Sequence, residues 1–576
     1  MKVCQFSIII AFTGSLILHN QHTIADQSEL LATYQADVAR DPKSFMAHFN
    51  LAGALFNQHD LDGASYHYQR SITLEPKIAS SHFNWGIVLA AQGKYDDAYK
   101  EFLETLTYNP NHTKARLKII EYLQNKQQYD QAIVQCNVLI QNSATNREFE
   151  QKLANLYHAQ GNLDDAILHF RKALLVEPTH SQLLLEYANT LNLHYSQEVA
   201  YEIYQAIQES GVDSLSVMYN IAYTLKKLDK LDEAIKTCKQ VIARSKDYAQ
   251  AHFALGTTYL TLGNFTEGWK EYEWRWKQGT MHERIFSQPL WDGSNLIGKT
   301  LYLHAEQGLG DTFQFIRYAK VAKDKGAYVI AAVQPCLVKI IALCPYIDKV
   351  IELGPIPKTF DAQAALMTVP HILNTQENTI PSMHPYLFAK QELIEFWKEK
   401  LRADKKFKIG ICWQGNPNYS THFLRMAVTS KSMRPALFAP LGTIPEVSIY
   451  SLQKEHDTNM DETVPEGFII HHFDDSFDRD HGRFMDTAAL MKNLDLVITV
   501  DTSIAHLAGG LGVPVWVILP KPADWRWLLG RTDSPWYPTM RLYRQKVAGT
   551  WTHVIDEIHD ALAPFVKEYH AKKQKD

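Results

Sequence analysis

Cysteine is scarce, with six in 576 residues: Cys4, Cys136, Cys238, Cys336, Cys344 and Cys412. None forms a CxxC pair and none lies near paired histidines, which argues against a disulfide framework and against a zinc site. An excess of charge is missing too. The 58 Lys and Arg face 63 Asp and Glu, a net charge of −5. No electrostatic case for a nucleic-acid partner follows, and the basic end "HAKKQKD" reads as a solvated tail. Long apolar runs are absent beyond the first residues, so no internal segment is built to cross a bilayer. The exception is "MKVCQFSIIIAFTGSLIL", followed by "TIADQ". It reads as a secretory signal ending near Ala25, as a weak anchor, or as a helix of the array described next. What remains is a globular composition, 46% hydrophobic and 21% charged, long enough for several domains.

Self-similarity dominates the first half. "DGASYHYQRSITLEP", "DDAYKEFLETLTYNP" and "DDAILHFRKALLVEP" are variants of one pattern. A small residue recurs every 34 positions at Ala64, Ala98, Ala132, Ala166, Ala200, Ala234 and Gly268. Four residues later come Tyr68, Phe102, Cys136, Phe170, Tyr204, Cys238 and Tyr272. A second series runs Ala52, Gly86, Ile120, Ala154, Ala188, Ala222 and Gly256, and Pro76, Pro110 and Pro178 close units. Tyr34 and Pro42 extend the phase backwards by half a unit. Each unit reads as two helices with apolar residues at helical spacing, brought close by small side chains. Proline ends the second helix because it lacks the N–H that the ladder needs. A single unit cannot bury its own apolar face, so units stack into a superhelix. The series resembles the tetratricopeptide repeat. That resemblance implies a concave surface for a protein or peptide partner; the competing role is a spacer.

After "YEWRWKQG" the pattern alternates strand and helix. "KTLYLHAEQGLGDTFQFIRYAKVAKDKGAYVIAAVQP" reads as strand, glycine turn, helix, strand, and "YIDKVIELG" and "DAQAALM" suggest two more strands. "AKQELIEFWKEKLRADKK" reads as a linking helix. A second set follows: strand "FKIGICW", strand "VSIYSLQ", helix "RFMDTAALMKN", strand "LDLVITV", helix "TSIAHLAGGLG" and strand "VPVWVIL", with a last helix from about Trp551 to Tyr569. Alternation of this kind predicts parallel sheets with covered faces and ligands at the carboxyl ends of strands. The expected domains are 1–25 (signal or anchor), 26–280 (about seven repeats), 281–400 (a first Rossmann-like lobe) and 401–576 (a second).

The densest polar chemistry lies in "DLVITVDTSIAHLAGGLGVPVWVIL", residues 495–519. Asp501 ends a strand, Thr502 and Ser503 open a helix, and His506 follows one turn on. The first N–H groups of a helix have no internal partner and attract anions. The set reads as a diphosphate seat; the plain alternative is an N-cap and a core histidine. The glycines beyond it leave room for close packing.

"DTSIAHLAGGLGVPVWVIL" resembles the nucleotide-binding motif of the ADP-heptose:lipopolysaccharide heptosyltransferases. The resemblance extends over "PLWDGSNLIGKTLYLHAEQGLGDTFQFIRYA", "GICWQGNP", "YSLQK", "DTAALMKNLDLVITVDTSIAHLAGGLG" and "DWRWLLGRTDSPWYPTMRLYRQ". It implies a two-lobed α/β glycosyltransferase fold of the GT-B type behind an α-helical solenoid, and sugar transfer from a nucleotide sugar. In "EQGLGD" it makes Asp311 the general base beside Gln307, Gly308 and Gly310 on the substrate side; the alternative for Asp311 is an N-cap. The proline that commonly follows is missing here. Lys431 matches the basic residue that neutralises the departing diphosphate, although Met433 stands where the family has tryptophan, and Arg425 and Arg434 are alternatives. Gln453 would meet the nucleoside, with Asp501, Thr502, Ser503 and His506 completing donor binding. Trp525, Arg526, Trp527 and Trp536 either wall the cleft or pack the lobes together. Asp478 and Asp480, in the acidic run 473–481, read as a solvated loop; no metal is expected, and no cofactor beyond the nucleotide-sugar substrate.

The leading expectation is therefore an inverting glycosyltransferase whose repeats recruit a protein or glycan acceptor. The competing one is a non-catalytic scaffold with an inactive transferase-like module. Because nucleotide sugars are cytoplasmic, a cytoplasmic location is expected, with membrane association through the N-terminus alone.

Overall fold

The computed structural model describes residues 24–143, 146–193, 196–279, 283–416, 428–454 and 464–573. The N-terminal apolar segment lies almost wholly outside them, and Arg425 lies outside as well. No helix among the described residues is long and apolar enough to cross a membrane. The chain forms two compact units, divided at Leu183–Leu184.

In the first unit the helix Ile24–Arg40 precedes four helix pairs: Phe45–Asn57 with Leu61–Leu74, Ala79–Ala91 with Tyr95–Tyr108, Thr113–Asn125 with Tyr129–Asn142, and Arg147–Gln160 with Leu163–Val176. Successive pairs start 34 residues apart, the period of the sequence. The small series does what close approach requires: Ala64, Ala98, Ala132 and Ala166 are all buried. At Gly86 an added Cβ would stand 2.6 Å from Phe102 Cε1, so the glycine makes room for the ring of its own unit.

A second period, hidden from the apolar pattern, is polar. A side chain early in the first helix of a pair bonds one 19 residues later in the second. The pairs are His48–His67 (Nδ1 to Nδ1, 2.8 Å), His82–Glu101 (2.7 Å), Arg116–Gln135 and Glu150–His169 (2.6 Å). In three of these the first residue also reaches a carbonyl six positions back, that of Pro42, Pro76 or Pro110. In these four pairs the buried polar groups are partnered, and three of the turn carbonyls are bonded.

The second unit begins inside the helix Ser181–Leu193, which pairs with Gln197–Glu209. Leu215–Lys227 then pairs with Leu231–Arg244, and Ala249–Thr261 with Phe265–Tyr272. At Gly256 an added Cβ would meet Tyr272 N at 2.6 Å. A 3₁₀ turn, Glu273–Lys277, ends the array.

Two parallel sheets follow. The first holds β1 (Thr300–His304), β2 (Tyr328–Val333), β3 (Lys349–Glu352) and β4 (Ala362–Ala365) in the order β3-β2-β1-β4. The second holds β5 (Phe407–Cys412), β6 (Val447–Ser451), β7 (Ile470–His471), β8 (Leu496–Val500), β9 (Val515–Leu519) and β10 (Met540–Arg544), in the order β10-β9-β8-β5-β6-β7. Its first strand in the chain lies in the middle. The next two run out to one side and the last three to the other, so the order reverses between β5 and β8. The first sheet reverses likewise between β1 and β4. A reversal opens a crevice at the carboxyl ends of the two central strands. The unbroken burial of β8 and β9 fits strands covered on both faces.

"TMRLYRQ" carries β10, a strand beyond those the sequence suggests, which pairs with β9 from Met540 opposite Val515. One expectation needs correction: Asp478 is not solvated. It is buried, and its carboxylate accepts the N–H groups of Asp486 and Thr487 and the Thr487 hydroxyl, capping the helix Met485–Met491. Asp480 is exposed, as a polar loop residue should be.

Candidate functional site

The two crevices differ in what fills them. At the end of β1, Glu306 is 3% exposed and takes a two-pronged bond from Arg275 of the last repeat turn: Nε to Oε2 at 2.7 Å and Nη2 to Oε1 at 3.0 Å. Met367 N–H donates to the same carboxylate at 3.1 Å, and Arg275 also bonds Thr368 Oγ1 and Glu273. Burial works against the Arg275 charge, but Glu306 and Glu273 outweigh it and hold the guanidinium protonated. The repeat array therefore plugs the first crevice. Trp269 secures the join. Its indole N–H donates to Thr375 O at 2.9 Å, and its ring meets those of Trp525, Phe315 and Trp536 edge-on at 5.4–6.4 Å.

The glycine turn after Glu306 leads to the second crevice. Gly308 caps the helix Leu309–Phe315, and Asp311 sits at its third position. Asp311 is thus not the N-cap itself. Its Oδ2 reaches back to accept the Gly308 N–H at 2.8 Å, and its Oδ1 accepts from Arg526 Nη2 at 2.6 Å. Gln307 turns aside and donates to Tyr272 of the array at 3.2 Å. This helix packs on Ser503–Leu511, the helix that begins beyond β8. The contact requires Gly310, where an added Cβ would stand 2.8 Å from His506 Cδ2 and 3.5 Å from Ser503 Cα.

On the β5–β8 side, Asp501 is buried and its Oδ2 lies 3.3 Å from Lys431 Nζ. Thr502 is the N-cap: its hydroxyl accepts from Ile504 N–H at 3.3 Å and lies 3.3 Å from Thr499 Oγ1. Gln453 Oε1 accepts from the N–H groups of Trp413 and Gln414, splicing the ends of β5 and β6; that oxygen is committed to the backbone. His506 bonds Tyr537 through Nδ1 at 2.8 Å and stacks on Trp527. Burial, with Arg526 nearby, holds it well below its ordinary pKa, so the ring is a neutral packing element.

Arg526, which the sequence offers only as wall or packing, is the hub. It joins Asp311 to Asp524 (Nη1 to Oδ1, 2.8 Å) and donates through Nε to Gln314 Oε1 at 2.9 Å. Among the described residues, Gln314 Nε2 has no partner. The side chains of Lys431 and Asp524 remain 32% and 37% open to water. Even so, burial is the first influence on the ionisation of each, working against both charges. Asp501 and Asp524 still raise Lys431, and Arg526 lowers Asp524. The structure thus gathers Gly308, Gly310, Asp311, Lys431, Asp501, Thr502, Ser503 and His506, with Gln453 beside them at a strand end. Trp525, Trp527 and Trp536 are buried packing, and Arg434 is exposed. Asp524, Gln314 and Tyr537 carried no sequence signal: their partners lie across the fold.

The tetratricopeptide repeat family model matches residues 151–180 and 215–248, and the chain carries tetratricopeptide repeats. Protein FlbA of Caulobacter vibrioides is 25% identical over 389 residues, which are 61% of this chain; the chain spans 62% of that relative's length. Among solved structures it is similar to YrrB, a TPR protein with an unusual peptide-binding site: 16% identity, 32% of this chain and 96% of that one, TM-score 0.30. It is also similar to the C-terminal part of a TPR repeat-containing protein from Cytophaga hutchinsonii: 16% identity, 40% and 95% coverage, TM-score 0.36.

Proposed function

We infer that this chain is a glycosyltransferase of the GT-B type that transfers a sugar from a nucleotide sugar with inversion. The observation that carries the reading is the β5–β8 crevice. A sheet of doubly wound order presents Asp501, the Thr502 cap and Lys431 there, directly opposite the Asp311 turn of a second parallel sheet. Such a crevice is where nucleotides bind in sheets of this order. In the reaction the acceptor oxygen attacks the anomeric carbon and passes its proton to Asp311. The bond from that carbon to the diphosphate oxygen breaks, and Lys431 meets the charge that appears on the leaving group. Arg526 fixes the carboxylate of Asp311 from below. The repeats would recruit the acceptor, a protein or a glycan. The test is a panel of nucleotide sugars on the purified full chain, read by thermal stabilisation and donor hydrolysis. A flat response across the panel would end the enzymatic reading.

One observation favours a scaffold with an inactive transferase-like module. Both oxygens of Asp311 already hold partners, Arg526 and the Gly308 N–H, so the carboxylate is anchored as a structural tie. Stabilisation by a nucleotide sugar without turnover would select this second reading.

A further inference from the structure

Three carboxylates follow strand ends here, and they differ in what they already hold. Asp501, just beyond β8, is 8% open to water and faces Lys431. Asp311 is 20% open, and both its oxygens are taken, one by the Gly308 N–H and one by Arg526. Asp524 follows the end of β9, the strand that pairs with β8 as far as Val500 opposite Ile518. It is 37% open, and its structural bonds all fall on one oxygen. Oδ1 accepts the backbone N–H of Arg526 at 3.0 Å, which caps the 3₁₀ turn Trp525–Trp527, and also accepts from Arg526 Nη1 at 2.8 Å. Among the described residues, Oδ2 accepts no hydrogen bond. Burial works against the charge of Asp524, but Arg526 outweighs it, so the open oxygen belongs to an ionised carboxylate.

Hydrogen bonds fix where that oxygen stands. Arg526 gives Nη1 to Asp524 and Nη2 to Asp311 at 2.6 Å, so two carboxylates flank one flat guanidinium. Gln314 holds the Nε of that guanidinium at 2.9 Å. The Asp311 helix packs in turn, through Gly310, on Ser503–Leu511, the helix capped by Thr502. A sugar hanging from a diphosphate at Thr502 and Lys431, with its anomeric carbon turned to an oxygen held by Asp311, lies beside Asp524. Hydroxyl groups bond an ionised carboxylate more strongly than a neutral acceptor. We propose that Asp524 Oδ2 accepts hydrogen bonds from hydroxyl groups of the transferred sugar, and so selects the sugar while Lys431 and the Thr502 helix hold the diphosphate. The proposal rests on the nucleotide-sugar reading of the β5–β8 crevice and adds to it the residue that reads the sugar.

The experiment titrates the full chain by calorimetry with UDP-glucose, UDP-N-acetylglucosamine, GDP-mannose and ADP-glucose, each beside its own nucleoside diphosphate. Asp524→Asn keeps an oxygen for Arg526 and turns an amide NH2, which cannot accept, toward the sugar. It should weaken the best-bound nucleotide sugar about tenfold or more, the loss of one charge-assisted hydrogen bond, and leave the matching diphosphate within about threefold. Asp524→Glu keeps the charge but displaces it; it should show the same split, and it carries the test if the asparagine variant does not fold. Equal loss of both ligands, or failure of both variants to fold, makes Asp524 a structural partner of Arg526 and overturns the proposal. Unchanged affinity for both ligands overturns it too. Wild type that binds the diphosphates but no nucleotide sugar also overturns it and leaves the nucleotide seat standing. Wild type that binds none of the probes removes the crevice reading and this contact together.

Discussion

Replacing Arg275 with methionine tests whether the array is built into the first sheet. Methionine keeps most of the apolar stem and removes the guanidinium. Arg275 and Glu306 are 1% and 3% exposed, so the loss leaves Glu306 charged in a dry site. Removing one partner of a buried pair costs about 3–5 kcal/mol. Met367 N–H stays on Glu306, and Glu273, which is partly open to water, regains solvation, so the lower end, about 3 kcal/mol, is expected. Arg275→Met with Glu306→Gln removes both charges and should return to within about 1 kcal/mol of wild type, a recovery of about 2 kcal/mol over Arg275→Met alone. The assay is urea unfolding of the full chain followed by tryptophan fluorescence, to which Trp269, Trp525 and Trp536 around the same join contribute. Acid should shrink the deficit of the single variant, because burial already pushes Glu306 up and loss of Arg275 pushes it further. A cost below about 1 kcal/mol, or no recovery on adding Glu306→Gln, would refute the plug.

Asp311→Asn should cut transfer about 10²–10⁴-fold while preserving nucleotide affinity; full turnover would rule out Asp311 as base. Gly310→Ala should cost about 1–3 kcal/mol and weaken nucleotide binding, since the methyl would meet His506 at 2.8 Å; an unchanged melting curve would contradict the close approach. In the first unit, burial lowers His82, but Glu101 and the Pro76 carbonyl outweigh it and raise its pKa. Its contribution is therefore fully present below about 6.5 and lost as pH rises through the folded value. Glu101→Gln should flatten that loss, as read by amide exchange in the helix Ala79–Ala91 above pH 6.5.

The 34-residue period was legible because every unit repeats one packing demand: a small residue where two helices cross. Ala64, Ala98 and Ala132 announce it without any knowledge of the fold. Strands β1, β2, β5, β8 and β9 were legible as apolar runs broken by glycine turns. β10 was not, because its five residues follow an aromatic loop and alternate too briefly to stand out. The polar pairs 19 residues apart escaped because their chemistry changes from unit to unit, His–His, His–Glu, Arg–Gln, Glu–His, while only their geometry repeats. At the β5–β8 crevice, Asp501, Thr502 and His506 announced themselves by crowding one strand end. Arg526 did not, since its partner Asp311 lies 215 positions away; only the folded chain shows that one guanidinium ties two distant carboxylates.

The embedding of Trp269 and Arg275 gives the solenoid one open direction for change. Units can be duplicated or lost toward the N-terminal side with local consequences, each new pair needing only its neighbours. The final unit has no such freedom. A fragment starting near residue 281 would bare the rings of Phe315, Trp525 and Trp536 and strand Glu306. Evolution and protein engineering alike must carry that last pair with the sheets.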